Sequence, residues 1–176
     1  MVVIHGTQRF RGRVPERPAA DGSQDGSQDG SSMWLGAWYA TLLRWRPMVA
    51  LFVNDSTLLP VLVPMAPAAT LLRRFPTSVS DVLTAHRVRG DLVASCLADM
   101  TTVRVRPTVS RSVVGVVNEF SYLADTVRDD YRDDLVGLSV RLASTPCSPL
   151  YGRHISPDRE LAALVLDRTA HQGPAS

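Results

Sequence analysis

Five residues of types that recognise ligands or partners recur along one predicted helix in the second half of the chain. They are Arg111, Gly115, Asn118, Tyr122 and Asp125, at spacings of four, three, four and three. The pitch of an α-helix places them on one stripe. Such a stripe could contact a ligand, a protein partner or a second layer of the same protein. An ordinary solvated face and docking of a C-terminal helical pair are alternatives.

Two further features lie in the first half of the chain. Asn54 and Asp55 end a predicted strand and are residue types found in active sites, although turns require the same types for backbone reasons. Three tryptophans lie near one predicted hairpin: Trp34, Trp38 and Trp45. Trp38 and Asn54 are therefore candidate binding residues beside Arg111, Asn118 and Tyr122.

Arginines form two local patches, one at Arg104, Arg106 and Arg111 and one at Arg9, Arg11 and Arg13. If the patches met on one sheet face, they could hold a phosphate backbone. Exposed arginines also protect strand edges, and no aromatic ladder for stacking bases accompanies these. Nucleic-acid binding is therefore an alternative. Another is a phosphate-directed hydrolase or nuclease that uses Arg111, Asn118, Glu119 and His5.

Metal, cofactor and nucleophile motifs are absent from the sequence. The four histidines show no HxxxH or HExxH spacing, and there is no GxGxxG, GxxxxGK[ST] or GxSxG. We therefore expect no metal, no cofactor and no assigned catalytic residue. Cys96 lies in an apolar helical pattern and is expected to be buried. Cys147 is expected to be an exposed loop thiol, near His154 in sequence but without another base or orienting group.

Composition indicates a globular protein rather than a disordered one, with 45% hydrophobic and 20% charged residues in 176. All nineteen residues counted as Lys+Arg are arginines, but a net charge of +2 does not itself indicate nucleic-acid binding. The apolar run Leu58 to Leu72 is shorter than the roughly 20 residues that cross a bilayer and contains three prolines. We expect a cytoplasmic protein without a membrane segment.

Hydrophobic periodicity predicts an α+β fold, with a mainly antiparallel sheet of about five strands packed by helices. Predicted strands span Val2 to Thr7, Trp38 to Leu43, Met48 to Val53, Leu58 to Val63 and Thr101 to Thr108, the middle three forming a meander. Predicted helices begin at a Thr77 or Ser78 cap, an Asp91 cap, a Ser110 cap, Leu135 and a Ser156 cap.

The same patterns divide the chain into an α+β core domain at residues 1–131, a helical appendage at 132–170 and a disordered tail at 171–176. The DGSQ repeat at 21–32 is predicted to be a flexible loop inside the core domain.

The order of WYATLL, VALFVNDSTL, an arginine-bearing strand and RSVVGVVNEFSYL resembles the bacterial and archaeal family called domain of unknown function 6933. Its members share a tryptophan-bearing strand, a strand ending in an Asn-Asp or Asn-Glu turn, and a late helix opening Arg/Lys-Ser-Val-Leu-Gly. The resemblance covers roughly residues 1 to 125. The chain departs from the family pattern in two places: the DGSQ repeat is extra, and the basic residues after the first strand are arginines where relatives often carry lysines. The resemblance implies the fold and transfers no activity.

Without a catalytic constellation, the sequence favours a non-enzymatic binding or accessory module that acts through protein contacts. Its partner would be another protein or a second copy of the chain. The hydrolase or nuclease and the nucleic-acid-binding module remain the alternatives.

Overall fold

A computed structural model describes residues 1–14 and 34–171, so the DGSQ repeat at 21–32 and residues 172–176 lie outside the described residues. The strands are β1 Val2–Gly6, β2 Trp38–Leu43, β3 Val49–Asn54, β4 Pro60–Pro64 and β5 Val103–Pro107. The helices are α1 Gln8–Arg11, α2 Leu71–Ala85, α3 Gly90–Asp99, α4 Arg111–Val127, α5 Leu135–Ala143 and α6 Pro157–His171. Short 3-10 helices lie at Ala68–Thr70, Arg128–Tyr131 and Ser148–Leu150.

The five strands form one mixed sheet in the order β4-β3-β2-β1-β5. The predicted meander is confirmed, because β2 and β3 and then β3 and β4 pair antiparallel. The prediction of a mainly antiparallel sheet was wrong for the pairings of β1, because β1 pairs parallel with both β2 and β5. Parallel neighbours need long crossovers, and each of these pairs is separated by a long stretch of chain that local patterns do not orient.

Apolar side chains cover both faces of the sheet. On the first face Phe52 stacks on Phe75 of α2 at 4.1 Å between ring centroids, and Trp38 meets the same Phe75 edge-on at 5.2 Å. On the second face Val117 and Phe120 of α4 join the strands in a separate buried cluster. The valine side of α4 thus seals the second face of the sheet, and β3 is buried along its whole length.

Two helices begin earlier than their sequence signals predict. Helix α2 starts at Leu71 rather than at Thr77 or Ser78, and it contains Pro76. Burial of Leu71 and Phe75 against the sheet offsets the hydrogen bond that a proline removes from a helix. Helix α3 starts at Gly90, and the carboxylate of Asp91 pairs with the Arg89 guanidinium at 2.9 Å instead of capping the helix.

The C-terminal part of the described chain packs against the β4 edge of the sheet. Ser139 of α5 is fully buried, and its hydroxyl accepts a hydrogen bond from the Leu62 N–H at 3.0 Å. Leu138 and Leu142 complete the second buried cluster. The division into a core domain and a helical appendage stays a proposal about how the chain is organised. No helix in the described ranges has the length and apolarity that a bilayer crossing requires.

Candidate functional site

Helix α4 has one buried and one solvated side, and its start is fixed locally. The Ser110 hydroxyl accepts from the Val113 N–H at 3.4 Å, as the sequence predicted, and the Ser110 N–H donates to the Tyr39 hydroxyl at 3.0 Å. Val113 and Phe120 face the sheet. The five stripe residues all lie on the exposed side: Arg111, Gly115, Asn118, Tyr122 and Asp125. We call this set the α4 outer face.

The α4 outer face carries a large exposed ring beside a position without a side chain. The Tyr122 side chain is 72% exposed. A Cβ added at Gly115 would meet no heavy atom within 4 Å, so this glycine adjoins open space. At the far end, the Asp125 carboxylate accepts a hydrogen bond from the Trp45 indole N–H at 2.5 Å, which ties the helix to the β2–β3 hairpin. The remaining groups offer arginine and amide donors to an approaching molecule.

Docking of the C-terminal helices does not account for this surface. Helix α5 packs against β4 and α2 and touches α4 from the side. Cys147 of the loop after α5 joins the buried cluster on the sheet side of α4, together with Val117 and Phe120. The outer face remains exposed.

Asn54 and Trp38 lie opposite each other in the β2–β3 register, and both side chains are 0% exposed. The Asn54 amide donates to Leu35 O at 2.5 Å and to Ala37 O at 3.1 Å. Its carbonyl oxygen accepts from the N–H groups of Ser56 and Thr57 and from the Thr57 hydroxyl. These contacts fit the interpretation that Asn54 holds a turn.

The Trp38 ring lies in the first buried cluster, and its indole nitrogen has no hydrogen-bond partner among the described residues. Trp34 belongs to the same cluster, whereas Trp45 packs at the edge of the second one. The three tryptophans therefore do not share one surface.

Asp55 and His5 give the sheet a polar end without forming a bonded pair. Partial burial raises the pKa of the Asp55 carboxyl, while a hydrogen bond from Ser56 and the charge of His5 act against that rise. The His5 ring lies 5.0 Å from the Tyr39 ring, and its Nδ1 is 2.9 Å from Pro107 O. Gly36, at φ +75°, allows the chain to pass close to the Asp55 carboxylate.

The four residues of the hydrolase hypothesis, Arg111, Asn118, Glu119 and His5, line neither of two pockets in the described part of the chain. A pocket of about 220 Å³ is lined by Arg13, Met48, Met65, Ala66 and Ala68. A second of about 300 Å³ is lined by Leu164, Asp167, Arg168 and His171. Neither includes Arg111, Asn118, Glu119 or His5. Glu119 is exposed.

Both cysteines are free and buried. The prediction for Cys96 is confirmed, but the prediction that Cys147 is an exposed thiol was wrong. The loop folds back so that the Cys147 N–H donates to Ile155 O at 2.8 Å, which turns the side chain into the second cluster. Burial, with a smaller contribution from the charge of Glu119, raises the pKa of Cys147 to about 12. The thiol therefore stays protonated at neutral pH and is a poor nucleophile.

The same loop contains a contact that the sequence did not reveal. The nearly buried Glu160 carboxylate accepts from Arg153 and lies 2.6 Å from His154 Nδ1. Arg153 also donates to Ser56 O in the β3–β4 turn at 3.4 Å. Only the folded loop brings these residues together, because they span a turn and the start of α6. Within 1–14 and 34–171, no group of three or more His, Cys, Asp or Glu side chains could hold a metal ion.

Comparison with known proteins identifies a family. No curated protein matches the chain significantly, and no solved structure does so. A family model described as "Domain of unknown function (DUF6933)" matches residues 3–160. It confirms the resemblance found in the motifs and extends it beyond residue 125, through α5 and into α6. The chain therefore belongs to the DUF6933 family.

Proposed function

We propose that this protein is a non-enzymatic binding module that contacts a protein partner through the α4 outer face. The observation that carries the proposal is the exposed glycine at position 115. Glycine in the middle of a helix costs about 0.5–1 kcal/mol relative to alanine. Because a Cβ at this position would meet no atom of the described chain, packing within the fold gives no reason for that cost. Close approach by another molecule gives one.

The neighbouring side chains suit a protein contact. Tyrosine and arginine are enriched where proteins meet, because they supply contact area and directional donors. Tyr122 and Arg111 lie on either side of Gly115, with Asn118 between Gly115 and Tyr122. The motif that carries the family resemblance also includes Arg111, Gly115 and Asn118.

Two exposed tyrosines make a matched test possible. Tyr122 is 72% exposed on the α4 outer face, and Tyr151 is 63% exposed in the loop before α6. We expect Tyr122→Ala to abolish retention of a specific protein from native lysate at both low and high salt, and Tyr151→Ala to keep it. Gly115→Gln should abolish retention as well. Equal retention by wild type and all three variants, or retention of no protein by wild type, would refute the proposal.

A second copy of the chain could supply the partner, and sedimentation of the purified protein separates this case. A homo-oligomer should dissociate in the Tyr122→Ala variant and persist in the Tyr151→Ala variant. We also propose a cytoplasmic location, supported by two thiols that are not paired in a disulfide. Cell fractionation tests it.

A further inference from the structure

Strand β5 ends the sheet and has no strand on its outer side within the described ranges. The Val2 N–H donates to Thr102 O at 2.8 Å. This bond determines which residues of β5 direct their backbone N–H and C=O groups toward β1. Because bonding alternates along each strand, Val103 and Val105 turn their N–H and C=O groups away from β1. We call these groups the β5 outer edge.

The opposite edge of the sheet is protected. The Leu62 N–H of β4 donates to the buried Ser139 hydroxyl, and α5 packs along that strand. Unpaired strand edges are templates for another strand, and folds usually cover or charge them. The fold covers its β4 edge with a helix and leaves arginines at β5.

Charge is segregated around the β5 outer edge. The β1–β5 pairing brings segments 1–14 and 100–118 together, and neither segment contains an aspartate or glutamate. The nearest acids along the chain are Glu16, Asp99 and Glu119. The two segments carry six arginines, of which Arg104 and Arg106 lie on β5 and Arg11 lies beside Gly6, as Val105 does. Arg13 instead lines the pocket near Met48 and Met65, and Arg111 belongs to the α4 outer face. Three arginines therefore give the β5 outer edge a positive charge in a chain of net charge only +2.

The observations favour a peptide over a nucleic acid. Outward N–H and C=O groups match the backbone of an extended peptide, whereas a nucleic acid offers no ladder of complementary amide groups. Binding of single strands also relies on exposed aromatic rings. Among the phenylalanine, tyrosine and tryptophan residues, only Phe10 lies in these two segments, and it is buried.

We infer that an extended acidic segment of a partner protein binds the β5 outer edge as a sixth strand. Arg104 projects to one face of the sheet, while Val103 and Val105 pack partly against the first buried cluster on the other. Since side chains alternate along a strand, the partner segment should alternate acidic and apolar residues. This site is separate from the α4 outer face, so either proposal can fail alone.

The test uses labelled peptides of alternating glutamate and valine, with fluorescence anisotropy as the readout. Two further peptides carry N-methyl groups, one at odd and one at even positions. Because only one set of N–H groups can face β5, methylation of one set should weaken binding about tenfold or more and methylation of the other should not. Equal effects of the two, or no binding of the parent peptide, would overturn the inference.

Protein variants test the charge. Arg104→Glu should weaken binding of the parent peptide about tenfold, whereas Arg159→Glu, an equal charge change at an exposed position of α6, should leave it unchanged. Tyr122→Ala should also leave peptide binding unchanged, which separates this site from the proposed α4 contact. If Arg159→Glu weakens binding as much as Arg104→Glu, or if single-stranded oligothymidine displaces the peptide, general attraction of polyanions replaces the strand-addition model.

Discussion

Replacing Asn54 with aspartate tests the interpretation that its amide holds the β3–β4 turn. The carboxylate would keep the acceptor for the Ser56 and Thr57 groups but lose the donor. Ala37 O would still accept from the Asp55 N–H at 3.0 Å, whereas Leu35 O would lose its bond from the Asn54 amide. An unsatisfied buried carbonyl costs about 1–3 kcal/mol, and burying the introduced oxygen without a donor costs a similar amount. The expected loss in free energy of unfolding is about 2–6 kcal/mol at pH 7.

Urea unfolding followed by tryptophan fluorescence measures this loss, since Trp34 and Trp38 are both buried. The variant should recover part of its stability near pH 4, because a protonated carboxyl can donate to Leu35 O and its folded pKa would be raised. Asp55→Asn makes the reverse exchange at the next residue, which is only partly buried and keeps an oxygen that accepts from the Ser56 hydroxyl, and it should alter stability by less than about 0.5 kcal/mol. A loss below about 1 kcal/mol for Asn54→Asp at pH 7 would refute the turn-holding role.

Three other changes follow from single contacts. Gly115→Ala should raise the free energy of unfolding by about 0.5–1 kcal/mol. Gly137→Ala should raise it by less, because its Cβ would displace the Asp134 carboxylate that accepts from the Gly137 N–H at the start of α5. Equal effects of the two in urea unfolding would contradict the difference. Burial lowers the pKa of His86 from 6.5, despite the opposing charge of Asp158. As the pH falls, the unfolded state therefore binds the proton before the folded state does. The free energy of unfolding should consequently decrease as the pH drops below about 6.5. His86→Asn should remove that part of the pH dependence, and an unchanged profile would contradict it. Cys96 and Cys147, each with a pKa raised to about 12 by burial, should react with a thiol reagent at neutral pH only as fast as the protein opens, and rapid labelling of the native protein would contradict this.

Elements governed by short-range patterns were predicted closely. Strand β2 has the predicted bounds, helix α5 begins at Leu135 as predicted, and Ser110 caps α4 as expected. Each depends on residues that are neighbours in sequence, namely an alternating apolar run, a helical repeat and a hydroxyl three positions from an N–H. The exposed stripe on α4 follows from the same repeat, because one buried side of a helix fixes the direction of the other.

Features that depend on contacts between distant residues could not be predicted from local patterns. The burial of Cys147 depends on a hydrogen bond to Ile155 and on a cluster to which α4, α5 and the sheet contribute. The start of α2 depends on Phe75 reaching Phe52 across the first face.

The parallel pairing of β1 is the clearest example. The sequence by itself determined which segments become strands and which residues of α4 face outward, because these properties have the period of the local backbone. Only the tertiary structure placed β1 between β2 and β5, brought Arg11 close to β5 and left the outer edge of β5 without a described strand. Which strands pair depends on how completely the sheet faces are buried once distant segments come together. A local sequence pattern does not contain this long-range information.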